Sequence, residues 1–160
     1  MRRSRSRTRS RKKPTFTHKI SQHFSKRDFS CQCGDCANAI KVSLGLVGGL
    51  ELLREKVKKR VNVIKGFMCQ TATEKSGSYK RNFHLMGLAA DITVSGLEAK
   101  DVFQIAEDIP EFKGIGLNLK ENFVHVDTRK IDDVQKWVVV NGERIELTPE
   151  NRNTYFGESD

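Results

Sequence analysis

Two histidines and one aspartate stand in otherwise apolar stretches of this chain. His84 and Asp91 lie in the stretch from residue 82 to residue 91, and His125 lies in the segment 123–127, which reads FVHVD. Burying such side chains costs free energy unless a partner compensates them. A divalent metal would compensate all three, and zinc suits histidine and carboxylate ligands. The alternative is a hydrogen-bonded core histidine with solvated acids nearby.

A single straight helix cannot bring His84 and Asp91 to one ion. They would share a face but lie roughly 10 Å apart along the axis, at about 1.5 Å per residue, whereas a zinc ligand lies about 2 Å from the ion. Gly87 between them favours a reversal of the chain, and the β-branched residues after Asp91 predict a strand. We therefore expect His84 in a loop and Asp91 at the start of a strand.

Alternation within the segment 123–127 predicts a second strand, with His125 and Asp127 on one face. His125 would then reach across a sheet toward His84 and Asp91. Two histidines and one carboxylate leave a fourth zinc position for water, which is typical of a catalytic rather than a structural site.

Over about residues 20–130, the chain resembles the small zinc D-alanyl-D-alanine carboxypeptidases and murein endopeptidases. That family carries the motif Ser-x-His-x-x-Gly-x-Ala-x-Asp, followed downstream by a histidine that is often part of His-x-Asp. The matching residues are His84, Gly87, Ala89, Asp91, His125 and Asp127. Upstream, the segments 24–29 and 66–69 also resemble the family. The resemblance implies an α+β fold with a small, mainly antiparallel sheet, packed helices and a hedgehog/DD-peptidase-like site that binds Zn²⁺ through His84, Asp91 and His125.

The resemblance also implies hydrolysis of peptide bonds in the stem peptides of bacterial peptidoglycan. Met68 stands where the family has an arginine that holds the terminal carboxylate of the substrate, and methionine cannot supply that charge. The serine of the motif is Asn82 here, and a frequent later arginine is Leu88. These differences favour an endopeptidase over a carboxypeptidase, although Lys80 or Arg81 could restore the lost charge.

In a zinc peptidase, we expect a carboxylate to accept the proton from the attacking water and pass it to the leaving amine. Many relatives place an acid three residues before the last ligand histidine, where this chain has Asn122, an amide that cannot accept that proton. Glu121 and Asp127 are the candidate catalytic residues, and Asp127 could instead support a metal ligand. Met68 and Asn122 together favour an alternative, a zinc-binding relative without catalytic activity.

Most of the net charge belongs to the N-terminal segment. The chain has 160 residues, with 29 lysines and arginines against 20 acids, and a formal net charge of +9. Eight of the basic residues lie within residues 1–13. We expect residues 1–19 to be a disordered Arg/Ser-rich tail and residues 20–160 to be a zinc peptidase-like domain. Spaced arginines bind phosphates, so nucleic acid or another polyanion is the expected partner of residues 1–13, and a merely solubilising tail is the alternative. A nucleic-acid-binding or virion protein acting through this tail is an alternative function.

The sequence contains no apolar run near the roughly 18 residues of a membrane span. The basic tail also lacks the apolar stretch of a secretory signal. A chain made in the cytoplasm would then reach the cell wall after release or lysis, and a phage origin would supply that route.

Four cysteines form a second group of interest. Cys31, Cys33 and Cys36 are close in sequence, whereas Cys69 is distant. The spacing of Cys33 and Cys36 suits a structural zinc, and disulfides or reduced thiols are the alternatives. Without an export signal, persistent disulfides are not expected, and no neighbouring histidine suggests a catalytic cysteine.

Apolar periodicity predicts helices over 37–60 and 98–108. Glycines at 45, 48 and 49 leave open whether the first is one helix or two. Strands are predicted at 61–64, 91–94, 114–119, 123–128, 137–140 and 144–147. Residues 70–81 are expected to form a polar loop at the rim of a substrate cleft, and the last residues to be loose.

Overall fold

A six-stranded sheet organises the part of the chain that the computed structural model describes, residues 18–77 and 82–157. The strands are β1 Val61–Lys65, β2 Ala89–Val94, β3 Gly114–Asn118, β4 Phe123–Asp127, β5 Gln135–Val140 and β6 Glu143–Glu146. Their order in the sheet is β1-β2-β4-β3-β5-β6. Every neighbouring pair is antiparallel except β3 and β5. The predicted α+β class with a mainly antiparallel sheet is confirmed.

The helices of the described residues are α1 Leu44–Val57, α2 Gln70–Lys75, α3 Ala99–Ala106 and α4 Arg152–Phe156, with a short 3-10 helix at Lys26–Phe29. The core joins α1 and α3 to one face of the sheet. Its fully buried members include Leu46, Leu50, Leu53, Val102, Phe103, Ile92, Ile115, Leu117, Val124 and Val126. Removing these side chains from water is the main driving force for folding.

Strand alternation separates this core from a polar face. Val124 and Val126 of β4 are fully buried in the core, and successive side chains of a strand point to opposite faces. His125 therefore lies on the face turned away from α1 and α3. A shift of one residue in the register would bury His125 and expose both valines, so the core fixes the register of the polar face as well.

The first helix begins later than predicted. It was expected over 37–60, but Ala37 and Asn38 have positive φ values of 52° and 57°, which a right-handed helix excludes. Ser43 is the N-cap, since its side chain accepts a hydrogen bond from the amide of Leu46 at 3.1 Å. Lys58 ends the helix in the left-handed conformation, with φ of 50°. The three glycines lie within one continuous helix.

Two other expectations are wrong. Residues 70–81 were expected to be a loop, but α2 occupies 70–75, and its N-cap Cys69 accepts a hydrogen bond from the amide of Ala72. Residues 78–81 lie outside the described part. The C-terminal segment, expected to be loose, forms α4, because Arg152 donates two hydrogen bonds to the carboxylate of Glu107 at 2.8 and 2.6 Å. Arg152 and Glu107 are 45 residues apart in sequence, and local sequence patterns do not report such a contact.

The predicted strands and the second predicted helix are confirmed within two residues at each end. Asn141 and Gly142 connect β5 and β6 with φ values of 50° and 83°, the positive pair of a tight hairpin turn. In residues 18–77 and 82–157, no helix is long and apolar enough to cross a membrane.

Alanine substitutions at Gly48 and Gly49 test how closely α1 approaches the core. A Cβ on Gly49 would lie 2.6 Å from the ring of Phe112, which is fully buried, whereas a Cβ on Gly48 would meet nothing within 4 Å. Gly49→Ala should lower the free energy of unfolding by about 1–3 kcal/mol through overpacking. Gly48→Ala should raise it by roughly 0.5–1 kcal/mol through helix propensity. Chemical denaturation followed by circular dichroism measures the free energy of unfolding of both variants. Equal effects of the two substitutions would contradict the close approach of Gly49 to Phe112.

Candidate metal centre

Two neighbouring strands place Asp91 and His125 side by side. Asp91 of β2 and His125 of β4 are direct Cα partners in an antiparallel pair. Directly opposite residues on one face of such a pair hold their side chains close enough to interact. Asp91 is only 4% exposed, so its carboxylate depends on protein groups rather than water for its hydrogen bonds.

Two glycines of β3 leave room for the side chains of this face. Gly116 pairs with His125, and Gly114 pairs with Asp127. A Cβ on Gly116 would clash with the indole of Trp137, and a Cβ on Gly114 would clash with the carboxylate of Asp127. Alanine at either position would therefore displace a side chain of the site.

The structure places His84 in a turn rather than a helix or strand. The side-chain oxygen of Asn82 accepts hydrogen bonds from the amides of His84 and Leu85, and the amide of Gly87 donates to the carbonyl of His84. Gly87 has a φ of 71°, the left-handed conformation that favours glycine. The turn directs the His84 ring toward the sheet. Its Nδ1 donates to the carbonyl of Gly66 at 2.8 Å, which leaves the Nε2 lone pair free to bind a metal.

The three side chains meet at one point. Nε2 of His84 lies 3.3 Å from Oδ1 of Asp91, and Nδ1 of His125 lies 2.9 Å from the same oxygen. One ligand atom from each residue lies within 4.8 Å of the other two. Nitrogen and oxygen ligands on a tetrahedral zinc are separated by about 3.3 Å, given metal–ligand distances of about 2.0–2.1 Å. The spacing and the types of these atoms fit a zinc ion.

The charge states of Asp91 and His125 depend on each other. Burial opposes ionisation of Asp91, but its contacts with His125 and His84 hold its pKa below the usual range. Burial likewise opposes a charged His125, yet its hydrogen bonds to Asp127 and Asp91 raise its pKa to about 9. Without a metal, the face therefore combines the Asp91 carboxylate with a positively charged His125, and a metal bound at Nδ1 would displace the proton held there.

Asp127 lies next to His125 on the same face of β4 and is fully buried. Nε2 of His125 donates to Oδ2 of Asp127 at 3.0 Å. Arg129 binds the same carboxylate through Nε at 2.8 Å, through Nη2 at 2.6 Å and through its backbone amide at 3.2 Å. Burial opposes ionisation of Asp127, but Arg129 and His125 hold its pKa below the usual range. Because Nε2 donates to Asp127, Nδ1 is the atom of His125 directed at Asp91 and at a metal.

The other candidate catalytic residue, Glu121, lies on the exposed turn between β3 and β4. It is outside the His84, Asp91 and His125 group. Its carboxylate accepts a hydrogen bond from the side chain of Asn118 at 3.4 Å, and Asn118 lines a groove together with Asp91 and His125.

Asn122, at the position where many relatives carry an acid, has a structural role. It has a φ of 53°, and its side-chain oxygen accepts a hydrogen bond from the amide of Ala99 at 3.0 Å. Ala99 is the first residue of α3, whose amide has no partner within the helix. Asn122 thus anchors the start of α3 to the β3–β4 turn.

A larger groove of about 680 Å³ opens beside His84 and His125. Trp137, Arg144, Arg129 and Lys130 line it, and the guanidinium of Arg144 lies 3.8 Å above the indole of Trp137. Sequence reasoning missed these residues. A signal existed for Arg129, which follows Asp127 by two residues, whereas Arg144 comes from β6 and reaches the groove through long-range pairing.

The expectation that Lys80 or Arg81 supplies a charge at the site stays a prediction. Lys80 and Arg81 lie outside the described residues. Lys75, from the same segment, forms an ion pair with Asp35 at 3.0 Å. Among the described residues, Lys65 of β1 lies beside the His84, Asp91 and His125 group, with its Nζ 3.8 Å from Oδ2 of Asp91. Met68 lines a separate small pocket beside the cysteines.

An α+β domain with a buried His–Asp–His group on the polar face of its sheet has the features of a zinc metallopeptidase. The sequence profile of the Peptidase M15 family matches residues 22–127. The chain belongs to this family of zinc peptidases. No curated protein matches the chain significantly.

The buried pair of Asp127 and Arg129 can be tested through stability. Asp127→Asn should lower the free energy of unfolding by about 3 kcal/mol, because removing one partner leaves the other charge buried and unpaired. Glu121→Gln is the matched control on the exposed turn and should change it by less than about 0.5 kcal/mol. Urea denaturation in the presence of a chelator measures both values. Equal stabilities of the two variants would contradict the role assigned to the buried pair.

Proposed function

We propose that the protein is a zinc-dependent peptidase that cleaves peptide bonds in the stem peptides of peptidoglycan. His84 through Nε2, Asp91 through its carboxylate and His125 through Nδ1 are the metal ligands. The observation that carries this proposal is the convergence of these three atoms at the edge of an accessible groove. Membership of the Peptidase M15 family supports the same reaction class.

Zinc bound there would supply Lewis acidity, which makes water a nucleophile at neutral pH and polarises the carbonyl of the peptide bond. The protein contributes the orientation of the ligands. The carbonyl of Gly66 and the carboxylate of Asp127 each accept the proton on the ring nitrogen that does not face the metal. This arrangement fixes the tautomer of His84 and His125 and keeps both rings in position.

Glu121 is the general base in this proposal, and Asp127 is a positioning residue. The carboxylate of Asp127 is already bound by Arg129 and His125, and its pKa is held low. Such a carboxylate is a poor proton acceptor. Glu121 is exposed, and its carboxylate accepts a hydrogen bond from Asn118, which lines the groove together with Asp91 and His125.

The charge of the larger groove supports an anionic substrate. Arg129 is committed to Asp127 and Gln135, so Arg144 and Lys130 are the cations available to a ligand. Stem peptides carry free carboxylates, which arginine binds in a bidentate manner. With methionine at position 68, we assign recognition of a substrate carboxylate to Arg144, and cleavage within the peptide rather than at its end.

Purified peptidoglycan tests the activity. The full-length protein should release fragments with cleaved stem peptides, a chelator should stop the reaction, and added zinc should restore it. His84→Ala should reduce cleavage to the background rate, because one of the three ligands is lost. His23→Ala is the matched control, since His23 pairs with Glu51 away from the site. Mass spectrometry of the fragments identifies the bond that is cut.

The same assay tests the proposed base. Glu121→Gln should lower kcat by about 10²–10⁴-fold, the usual contribution of a general base, while zinc content remains unchanged. Glu55→Gln on the exposed surface of α1 serves as the control. Unchanged turnover of Glu121→Gln would assign the base to another group.

Met68 and Asn122 favour a second candidate, a zinc-binding relative without catalysis. Asn122 is an amide at the position where many relatives carry an acid, and its side chain is engaged with α3. Intact peptidoglycan after incubation with stoichiometrically zinc-loaded protein would select this candidate over the peptidase. Release by lysis, as in a phage, is the proposed route to the cell wall for an active enzyme.

Residues 1–13, which lie outside the described part of the chain, are the proposed contact for nucleic acid or another polyanion. Removing them should abolish salt-sensitive binding to a DNA oligonucleotide while zinc content and cleavage persist. In the full-length protein the slope of log K against log salt should approach about −0.9 per phosphate neutralised. Fluorescence anisotropy at several salt concentrations measures this slope, and equal slopes with and without the segment would exclude the tail as the contact.

A further inference from the structure

Four cysteine sulfurs form a second cluster, separate from the His84, Asp91 and His125 group. Cys31, Cys33 and Cys36 come from the loop between the 3-10 helix and α1, and Cys69 comes from the end of the segment after β1. The four sulfur atoms all lie within 4.8 Å of one another. Cys31 is buried and the other three are half-buried. The fold therefore brings together thiols that are up to 38 residues apart in sequence.

The distances within the cluster match a tetrahedral metal site. Sγ of Cys33 lies 3.5 Å from Sγ of Cys36 and 3.6 Å from Sγ of Cys69. Four thiolates around one zinc ion are separated by about 3.8 Å, given a Zn–S distance of about 2.3 Å. A disulfide would require about 2.05 Å, and all four cysteines are free.

Backbone amides surround the sulfurs in the way that thiolate ligands require. The amide of Asp35 donates to Sγ of Cys33 at 3.4 Å, the amide of Cys69 donates to Sγ of Cys31 at 3.4 Å, and that of Ala72 donates to Sγ of Cys69 at 3.5 Å. Neutral thiols are weak acceptors, whereas hydrogen bonds to a negatively charged acceptor are stronger. Such outer contacts orient and stabilise the ligands of a metal.

The loop that carries three of these cysteines has no regular secondary structure, and it is tied by backbone hydrogen bonds between Cys31, Cys36 and Ala39 and by the ion pair of Asp35 with Lys75. Between the 3-10 helix and α1 it contains neither helix nor strand, and Gly34, Ala37 and Asn38 all have positive φ values. For alanine such a conformation is costly and persists only when the surrounding structure enforces it. A metal ion bound by four ligands would supply that enforcement, as structural zinc does in small domains.

We propose that Cys31, Cys33, Cys36 and Cys69 bind a structural zinc ion through four thiolates. Four ligands complete the coordination, so the ion has no open position for water or substrate, unlike the three-ligand site on the sheet. Binding replaces the thiol protons, which are released to solvent. The proposal stands independently of peptidase activity.

The cysteine cluster also holds the backbone segment that contacts His84 in the candidate metal centre. Cys69 ends the segment 66–69, in which the carbonyl of Gly66 accepts from His84 and the amide of Met68 donates to the carbonyl of His84. In the same segment, the amide of Phe67 donates to the carbonyl of Phe29. The four-cysteine site therefore clamps the backbone that orients His84, and loss of its zinc should weaken zinc binding at the sheet.

Metal analysis of the full-length protein, purified under reducing conditions and dialysed against zinc, tests the site. The wild type should hold two zinc ions per chain, His84→Ala one, and Cys33→Ser at most one. Asp35→Asn is the matched control within the loop and should keep both ions, because it retains the amide that donates to Cys33. Equal zinc content in Cys33→Ser and the wild type would overturn the proposal.

Two measurements on chains with an intact cluster keep the test decisive if Cys33→Ser does not fold. Cobalt-substituted wild type and His84→Ala should both show thiolate-to-metal charge-transfer absorption, which histidine and carboxylate ligands do not produce. The four thiols should resist a thiol reagent until a strong chelator is added. Four immediately reactive thiols, or no titratable thiols because disulfides have formed, would each overturn the proposal. Loss of the sheet site alone would leave the cobalt–thiolate absorption intact, so the two proposals fail separately.

Discussion

The burial of Asp91 between two imidazoles is the constraint on which the site depends. A carboxylate that is removed from water costs several kcal/mol unless it gains charged or hydrogen-bonded partners. Asp91 is 4% exposed, and its partners are His84, His125 and, at a longer distance, Lys65. A metal ion at this point would take over the compensation of the carboxylate, with the directional ligands already in place.

The apolar core on the other face of the sheet fixes the position of Asp91 and His125. Val124 and Val126 flank His125 in β4 and are fully buried. Their apolar surface would be exposed by any shift of one residue, so the hydrophobic effect that stabilises the core also holds the polar face in register. Gly116 then leaves the space above β3 that Trp137 occupies beside His125. The polar face and the core are two results of one alternating pattern.

The features that follow from local pattern could be predicted from the sequence. Alternation in β4 placed His125 and Asp127 on one face, and Gly87 indicated the reversal that puts His84 in a turn. The start of α1 was missed because periodicity continues upstream of Ser43, although the left-handed backbone at Ala37 excludes a helix there.

The features that depend on contacts between distant residues could not be predicted. Helix α4 rests on the pairing of Arg152 with Glu107, 45 residues away. The groove receives Arg144 because β5, the hairpin partner of β6, pairs in parallel with the distant strand β3. The role of Asn122 at the start of α3 depends in the same way on a partner 23 residues away. A residue at a family position where an acid is expected can therefore be replaced by one that serves the fold.

The three proposed ligands of the sheet site differ in how they are held. Asp91 and His125 lie on central strands, whose positions the core determines. His84 lies in a turn, and turns are more mobile than the elements they connect. Its ring is fixed by the carbonyl of Gly66, and the segment that carries this carbonyl ends at Cys69 in the sulfur cluster. Such a local constraint matters for the proposed site, because a displacement of about 1 Å at a catalytic group can cost about 10²-fold in rate.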